Sequence, residues 1–217
     1  MEIMEKLDPT NVLYHGLAHF LTFKRFDEAY KRLQMVLKSG AILSRNKQRE
    51  VLPSLGLKPN DYNKVLWNGE DYISICMKHT DGNTSDLTEA YFEFIDGGLS
   101  FVLDSSILEE LDVKLTNCQD GEIQVKDAIP AKYFLGVTMR EPSDEMRLKF
   151  YRDWRTKDKE EIEEDFLQVN NVRGLLNRCG YSHLPIYSDY DLGIITDAKS
   201  IIQKLKSEQT GVVERGE

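Results

Sequence analysis

The chain has 217 residues, 41% of them hydrophobic, and a formal net charge of −9. This length suits one domain of generous size, or one domain with an appendage. The acidic balance argues against broad nucleic-acid binding, because phosphate repels an acidic surface, and no apolar run approaches the roughly 18 residues of a membrane span.

The N-terminus and the cysteines indicate a reducing compartment. The first residues lack the basic start and the apolar run of a secretory signal. The three cysteines are scattered and form no Cys-x-x-Cys pair, so the sequence predicts neither a disulfide framework nor a zinc site. We therefore expect a cytoplasmic protein that needs no metal.

The first predicted elements are a strand and an amphipathic helix. Residues 12–15 are typical of a strand that follows turn chemistry at residues 8–11. Apolar residues repeat at helical spacing across residues 26–38, and Gly40 follows the helix as a C-terminal glycine should. Residues 44–68 are polar and contain two prolines, so we expect a long loop there, with about one turn of helix.

The middle of the chain predicts a series of strands. Residues 72–77 alternate smaller or polar side chains with apolar ones, which indicates a strand with two different faces. Residues 91–95 and 99–103 flank an Asp-Gly-Gly turn and predict a hairpin. Further elements are expected at residues 105–111 (a short helix), 122–125 and 133–139 (both strands).

The composition changes after Pro142. Residues 143–178 are rich in charged residues, with apolar positions at helical spacing that predict two helices, and a final helix is expected at 197–206. Charged runs of this kind are typical of solvated helix faces. We therefore divide the chain into an α+β core at residues 1–142 and a charged helical extension at 143–217 that packs on the core.

Three of the predicted strands carry polar residues that an apolar strand would not need. The first strand ends in His15-Gly16, and a later strand begins at Glu122. Between them in the sequence, Tyr72 and Ser74 lie on a strand of their own. Each residue also has an ordinary interpretation: a strand-end histidine bonded to backbone, a strand aromatic, a solvated serine and an exposed carboxylate.

This order of motifs resembles the ADP-ribosyltransferase superfamily, in a bacterial branch with a His-Tyr-Glu-like set, over residues 12–139. The Tyr-His-Gly-Leu run at residues 14–17 is similar to the first family motif, and residues 39–45 resemble the segment that leads from a helix into a strand. Residues 72–74 resemble the aromatic-and-hydroxyl strand, and Glu122 looks like the start of the catalytic-glutamate strand. The resemblance implies an α+β fold in which two small packed sheets, antiparallel or mixed, form a cleft for NAD.

The resemblance also implies roles for individual residues. Cleavage of NAD at its nicotinamide bond develops positive charge on the ribose, which Glu122 would stabilise as the catalytic carboxylate. Tyr72 would offer a flat face on which nicotinamide stacks. His15 would hydrogen-bond the other ribose, and Gly16 would let the backbone approach the dinucleotide closely.

Two further cofactor contacts are implied at Ser74 and at Arg45, whose forked donors suit an NAD phosphate, although an exposed loop arginine is the ordinary reading of Arg45. The sequence departs from the family pattern where Leu17 replaces a hydroxyl residue and where only one serine is present. Arginine-specific members carry Gln/Glu-x-Glu, whereas Gln124 follows the glutamate here, so arginine modification is not favoured.

The resemblance implies an NAD-dependent mono-ADP-ribosyltransferase that modifies a macromolecular acceptor, either a protein or a nucleic acid. Such an enzyme would serve as a bacterial toxin or a phage-conflict protein, with an antitoxin as partner and no role for a membrane. NAD would be its substrate. The alternative is a non-catalytic binding module, either with the same fold or with an unrelated α+β fold, that uses its acidic helical tail to bind a basic partner.

Overall fold

A computed structural model describes residues 12–16, 25–59, 70–77, 98–115, 122–154 and 158–213. The strands within these ranges are β1 (Val12–Gly16), β2 (Ala41–Leu43), β3 (Tyr72–Met77), β4 (Leu99–Asp104), β5 (Val113–Leu115), β6 (Glu122–Lys126), β7 (Ala128–Pro130), β8 (Phe134–Met139) and β9 (Ile186–Ser188). The α-helices are α1 (Arg25–Ser39), α2 (Arg45–Val51), α3 (Ile107–Glu110), α4 (Asp144–Trp154), α5 (Lys159–Asp165), α6 (Leu167–Arg178) and α7 (Ala198–Val213). Short 3₁₀ helices occur at Leu52–Leu55 and Ala131–Tyr133.

Seven strands form one sheet in the order β5-β6-β3-β1-β4-β8-β9. Neighbouring strands are antiparallel, except β8 and β9, which run parallel. The predicted α+β class is confirmed by this mixed sheet and its helices. Strand β9 was not predicted: it comes from the charged C-terminal segment, which therefore contributes to the sheet as well as supplying helices.

One side of the sheet, here called the core face, carries the main hydrophobic core. Side chains alternate between faces along a strand, and Leu13, Ile73, Ile75 and Phe101 are all buried in the same cluster. Helix α1 covers this face with its own apolar stripe, in which Ala29 and Leu33 are fully buried. The helical spacing of these residues explains why the sequence predicted α1 almost to the residue.

A second, two-stranded sheet pairs β2 with β7, with Ile42 opposite Ile129. The chain passes from β6 into β7 through Asp127, whose φ of 62° lies in the left-handed region. Aspartate tolerates this conformation better than most residues. The Asp127 N–H donates to the Asp71 carbonyl at 2.7 Å, and its carbonyl accepts from the Ser44 N–H at 2.8 Å, so the bend joins the two sheets.

The predicted loop at residues 44–68 is largely helical where the structure describes it. Helix α2 begins after Ser44, whose hydroxyl accepts a hydrogen bond from the Lys47 N–H. Pro53 then lies in the first turn of the 3₁₀ helix, which ends at Gly56 with a φ of 68°. The loop prediction was wrong because a capped polar helix lacks the apolar periodicity by which helices are recognised. Residues 60–68 and the predicted strand at 91–95 lie outside the described residues.

The C-terminal helices pack into the same core cluster as the sheet. Phe166, Val172 and Leu176 of this region are fully buried alongside α1. Asp158 caps α5 by accepting hydrogen bonds from two backbone N–H groups of its first turn. The domain boundary at residue 142 stays a prediction. None of the helices in the described ranges combines the length and the apolar character that a membrane crossing requires.

Gly136 in β8 allows a close contact that no other residue type would permit. A Cβ atom at this position would lie 2.6 Å from the Tyr187 ring and 2.9 Å from the Pro185 carbonyl oxygen. The Pro185 carbonyl accepts a hydrogen bond from the Val137 N–H, so it has little room to move. We expect Gly136→Ala to lower the free energy of unfolding by about 1–3 kcal/mol, as measured by urea denaturation.

Gly174 provides the matched control for this substitution. It lies inside α6, where a Cβ would meet only the flexible end of the Arg178 side chain at 3.2 Å. Gly174→Ala should therefore stabilise the protein by up to about 1 kcal/mol, because alanine is the better helix former. Equal effects of the two substitutions would contradict the packing described for β8 and β9.

Candidate functional site

The three strands that carry the predicted motifs are consecutive neighbours in the large sheet, in the order β6-β3-β1. Tyr14 pairs with Cys76, and Cys76 pairs in turn with Glu122. Since adjacent strands lie about 4.8 Å apart, β1 and β6 are about 10 Å from one another. Residues more than 100 positions apart in the sequence are thus brought into one row.

Glu122, the predicted catalytic residue, opens β6 opposite Cys76. The structure describes the backbone of Glu122, while its side chain lies outside the described part of the chain. Its strand is anchored on both sides, because β6 pairs with β3 and with β5. The backbone position at which the carboxylate would be presented is therefore fixed by the register of the sheet.

Tyr72 and Ser74 lie on the side of β3 that faces away from the main core, here called the polar face. Their strand neighbours Ile73 and Ile75 are buried in the core, so alternation turns Tyr72 and Ser74 the other way. Both are half-buried. Ser74 pairs across the sheet with Gln124, which is 6% exposed.

Other polar side chains on the polar face were not predicted as site residues. Ser100 and Thr138 are fully buried, and their hydroxyl oxygens are 2.6 Å apart. Tyr14 is fully buried beside Cys76, and burial raises the pKa of its phenol, so it is neutral at physiological pH. The sequence did contain a signal for Ser100 and Thr138, because each of them lies between two apolar residues of its strand.

His15 lies on the core face of β1, opposite in direction to Tyr14. Its Nδ1 is 2.9 Å from the Ser74 carbonyl oxygen, which can only accept, so Nδ1 carries the proton. Burial lowers the pKa of His15, the hydrogen bond to Ser74 opposes this, and the nearby Arg32 guanidinium lowers it further. A neutral imidazole with a protonated Nδ1 results.

This placement separates His15 from two other predicted NAD ligands. The expectation that the imidazole, the Tyr72 phenol and the Ser74 hydroxyl line one surface does not hold, because they lie on opposite faces of the sheet. The bond to Ser74 matches the ordinary interpretation of a strand-end histidine held by backbone. Gly16 continues β1 opposite Ser100, and Leu17 lies outside the described residues.

Arg45, the predicted phosphate ligand, begins α2 at the junction of the two sheets. Its side chain is only 9% exposed, and its Nη1 lies 3.3 Å from the Glu70 carboxylate. Glu70 also accepts hydrogen bonds from Arg49, and these contacts, Arg49 first, hold the pKa of Glu70 below its usual range. An NAD phosphate would have to share Arg45 with this carboxylate.

Arg45 nonetheless lies near the start of β3. The Asn46 N–H donates to the Glu70 carbonyl at 3.0 Å, and its amide donates to the Asp71 carboxylate at 2.6 Å. Asp71 directly precedes Tyr72 in the chain. The structure therefore places Arg45 and Tyr72 at the same end of the polar-face strands, while His15 is bonded to the middle of β3 from the other side.

The described residues form a mixed α+β fold. The second, two-stranded sheet follows the large sheet at the Asp127 end of β6. Within those ranges, no cluster of three or more His, Cys, Asp and Glu side chains has the arrangement of a metal site. No known family model matches the chain, and no curated protein matches it.

The lowered pKa of His15 makes stability depend on pH. The unfolded chain binds a proton near its ordinary pKa of about 6.5, whereas folded His15 binds one only at lower pH. The stability that depends on a neutral His15 is fully present above about pH 6.5. It is lost as the pH falls toward the pKa of His15 in the folded chain. His15→Gln keeps an N–H donor but cannot titrate, so it should lose less stability than the wild type between about pH 7.5 and pH 5.

Urea denaturation at both pH values measures this difference. Titration of other groups, including Glu141, is common to both proteins and cancels in the comparison. His183→Gln, which removes an exposed imidazole, serves as the matched control. Identical pH dependences for His15→Gln and wild type would mean that the folded chain does not hold His15 neutral.

Proposed function

We propose that the protein is an NAD-dependent mono-ADP-ribosyltransferase that modifies a macromolecular acceptor, and that it belongs to the ADP-ribosyltransferase superfamily. One observation carries the proposal: the three motif strands, distant in sequence, are consecutive strands β6-β3-β1 of one sheet. A catalytic glutamate strand beside the aromatic-and-hydroxyl strand is the arrangement that the proposed chemistry needs.

We propose that the NAD cleft runs along the polar face of β3 and β6, from the Tyr72–Lys126 pair beside Asp127 to the Cys76–Glu122 pair, about 13 Å further along the strands. Tyr72 pairs with Lys126, which directly precedes the bend at Asp127, so the phenol lies on the strand end nearest the second sheet. The half-buried state of Tyr72 and Ser74 supports this location, because side chains that bind a ligand need both a fixed position and access.

Each residue then has a separate task. Glu122 stabilises the positive charge that develops on the ribose as nicotinamide leaves, and such electrostatic stabilisation is effective because the group is held in place beforehand. Tyr72 stacks against the nicotinamide ring, and Ser74 contacts the dinucleotide beside it. Arg45 contacts a phosphate while it keeps its ion pair with Glu70. His15 is a positioning residue, which holds the backbone of Ser74 from the core face.

We propose NAD as a substrate, with its ADP-ribose passed to a protein or nucleic-acid acceptor. The net charge of −9 makes a local contact with a nucleic acid more plausible than a broad one, because phosphate is repelled elsewhere on the surface. An acceptor-independent measurement is therefore the first test. Slow release of nicotinamide from NAD, with water as acceptor, meets that need.

Glu122→Gln tests the catalytic role of the carboxylate. Nicotinamide release by the purified protein should fall about 10²–10³-fold, because the amide has the shape of the carboxylate without its charge. Chromatographic detection of nicotinamide measures the rate. Transfer of label from adenine-labelled NAD to lysate macromolecules should fall in parallel.

Glu109→Gln is the control, since Glu109 is an exposed carboxylate on α3. Its rate should equal that of the wild type. A wild type that releases no nicotinamide above background, or a Glu122→Gln variant as fast as the wild type, would overturn the assignment of Glu122 as the catalytic group.

Two substitutions of Tyr72 test its stacking role. Tyr72→Phe keeps the aromatic face and should bind NAD like the wild type, whereas Tyr72→Ala should bind about tenfold more weakly, since stacking of a base on an aromatic ring contributes about 1–3 kcal/mol. Calorimetric titration in the slow Glu122→Gln background measures affinity without turnover. Tyr190→Ala, at a 51% exposed tyrosine in a turn, should have no effect. Loss of affinity in Tyr72→Phe would show that the hydroxyl, and not the ring face, makes the contact.

A further inference from the structure

Gln124 places a buried amide on the polar face of the sheet. Its strand neighbours Ile123 and Val125 are buried in the main core, so alternation turns the Gln124 side chain to the other side of β6. The residue is only 6% exposed. Within the part of the chain that the structure describes, its amide makes no hydrogen bond. Ser100 and Thr138 differ in this respect, because their hydroxyl groups bond to each other at 2.6 Å.

A buried amide that makes no hydrogen bond lowers the stability of the folded chain. In the unfolded chain both the carbonyl oxygen and the NH₂ group bind water, and burial removes this water without replacing it. Most buried polar side chains are therefore bonded to a partner. The amide of Gln124 thus retains two donors and one acceptor oxygen with which a ligand can pair.

The strand register surrounds Gln124 with residues of the proposed NAD cleft. Ser74 lies directly opposite on β3, and Lys114 lies opposite on β5. Tyr72 is the diagonal neighbour on the same face, at about 7–8 Å. Position 122 precedes Gln124 by two residues, which is about 7 Å along the strand. Gln124 therefore lies between the ring proposed to stack nicotinamide and the position of the proposed catalytic carboxylate.

The charges around Gln124 belong to solvated side chains. Lys114 and Lys126 are both exposed, and the Lys126 Nζ lies 3.9 Å from the Asp112 carboxylate. Exposed ammonium groups in water attract a ligand only modestly. A neutral partner suits the buried amide better than an ion does, because an ion would lose its own hydration on entering the same place.

A primary carboxamide is the neutral group that matches glutamine most completely. Its carbonyl accepts a hydrogen bond from the glutamine NH₂ group, while its own NH₂ group donates to Oε1. A half-turn of the glutamine amide offers the same pair in reverse, so either orientation of the ligand is accommodated. Nicotinamide carries such a carboxamide on its ring. The adenine edge also pairs with glutamine, but the proposed function places the nicotinamide end of NAD beside Tyr72 and position 122.

We infer that Gln124 binds the carboxamide of the nicotinamide ring and thereby selects NAD over dinucleotides whose ring lacks this group. The inference rests on the proposed function, because the positions of the ring and of its ribose come from Tyr72 and Glu122. Stacking on Tyr72 fixes the plane of the ring, and the two hydrogen bonds to Gln124 fix its rotation within that plane. The bond that breaks is thus oriented for reaction.

Calorimetric titration in the Glu122→Gln background tests this selection. The probes are NAD and acetylpyridine adenine dinucleotide, in which a methyl group replaces the NH₂ of the carboxamide. With Gln124 present, NAD should bind about tenfold or more tightly than the analogue, because the methyl group leaves Oε1 buried without a donor. Gln124→Met has a similar volume and cannot pair, so it should bind the two dinucleotides equally, and NAD about tenfold more weakly.

Gln48→Met is the matched control, since the Gln48 amide on α2 donates to the Leu43 carbonyl at 2.9 Å. This variant should keep the preference for NAD. The two substitutions should also have opposite effects on stability without any ligand. Gln124→Met should raise the urea midpoint, because it removes a buried polar group that lacks a partner, whereas Gln48→Met should lower it.

Several results would overturn the inference while the proposed function stands. These are NAD binding with no preference over the acetylpyridine analogue, or a preference that Gln124→Met retains. Tighter binding of nicotinic acid adenine dinucleotide than of NAD would show that Lys114 and Lys126 govern the choice. A preference for NAD over its hypoxanthine analogue that Gln124→Met abolishes would assign the amide to the adenine end.

Two other results act at a different level. A urea midpoint that Gln124→Met lowers as much as Gln48→Met does would mean that the amide has a partner in the folded chain, and this would overturn the inference without reference to NAD. Failure of the Glu122→Gln protein and of the wild type to bind any of the dinucleotides would overturn the inference together with the proposed function.

Discussion

The antiparallel register of β1 and β3 is the constraint on which the rest of the structure depends. It sets Tyr14 opposite Cys76 and therefore determines which residues of both strands reach each face. Because side chains alternate, a slip of one residue would exchange the core residues Leu13 and Ile75 for residues of the other face, such as Tyr14 and Ser74. Burial of the core-face residues thus helps to set which residues of β1 and β3 lie on the other side of the sheet, where Val12, Tyr14 and Cys76 belong to a second buried cluster.

His15 shows how this constraint bears on function. A histidine at a strand end looks like a ligand in sequence, yet the register turns it toward the core, where its Nδ1 donates to the Ser74 carbonyl. Burial alone would be unfavourable for a polar ring, and the hydrogen bond offsets that penalty. The same hydrogen bond links His15 to the backbone of Ser74. The imidazole therefore holds a strand of the proposed site from the core face of the sheet.

Two arginines, Arg45 and Arg147, are largely buried, and each is paired with a glutamate. Arg45 with Glu70 connects α2 to the segment before β3, whereas Arg147 with Glu141 connects α4 to the chain after β8. Removal of either glutamate would take a carboxylate away from a largely buried guanidinium, which is costly, so these pairs fix local geometry. The first pair lies beside the proposed NAD cleft, and Arg147 and Glu141 line a groove among the C-terminal helices.

By itself, the sequence determined the elements whose apolar residues repeat regularly. The spacing of Ala29, Leu33 and Val36 predicted α1, and the alternation in residues 72–77 predicted β3, because burial of one face imposes a period on the sequence. It did not determine α2, whose Ser44 cap lies outside any apolar pattern, nor β9, which is a short strand between two helices of the C-terminal region. Only the tertiary structure decided that His15 and Ser74 meet through backbone, that Asp127 turns the chain from one sheet into the other, and that Met146 and Leu167 share a groove. These outcomes depend on strand register and helix packing between distant segments, and the free energy that sets them belongs to the whole core and not to any local stretch of residues.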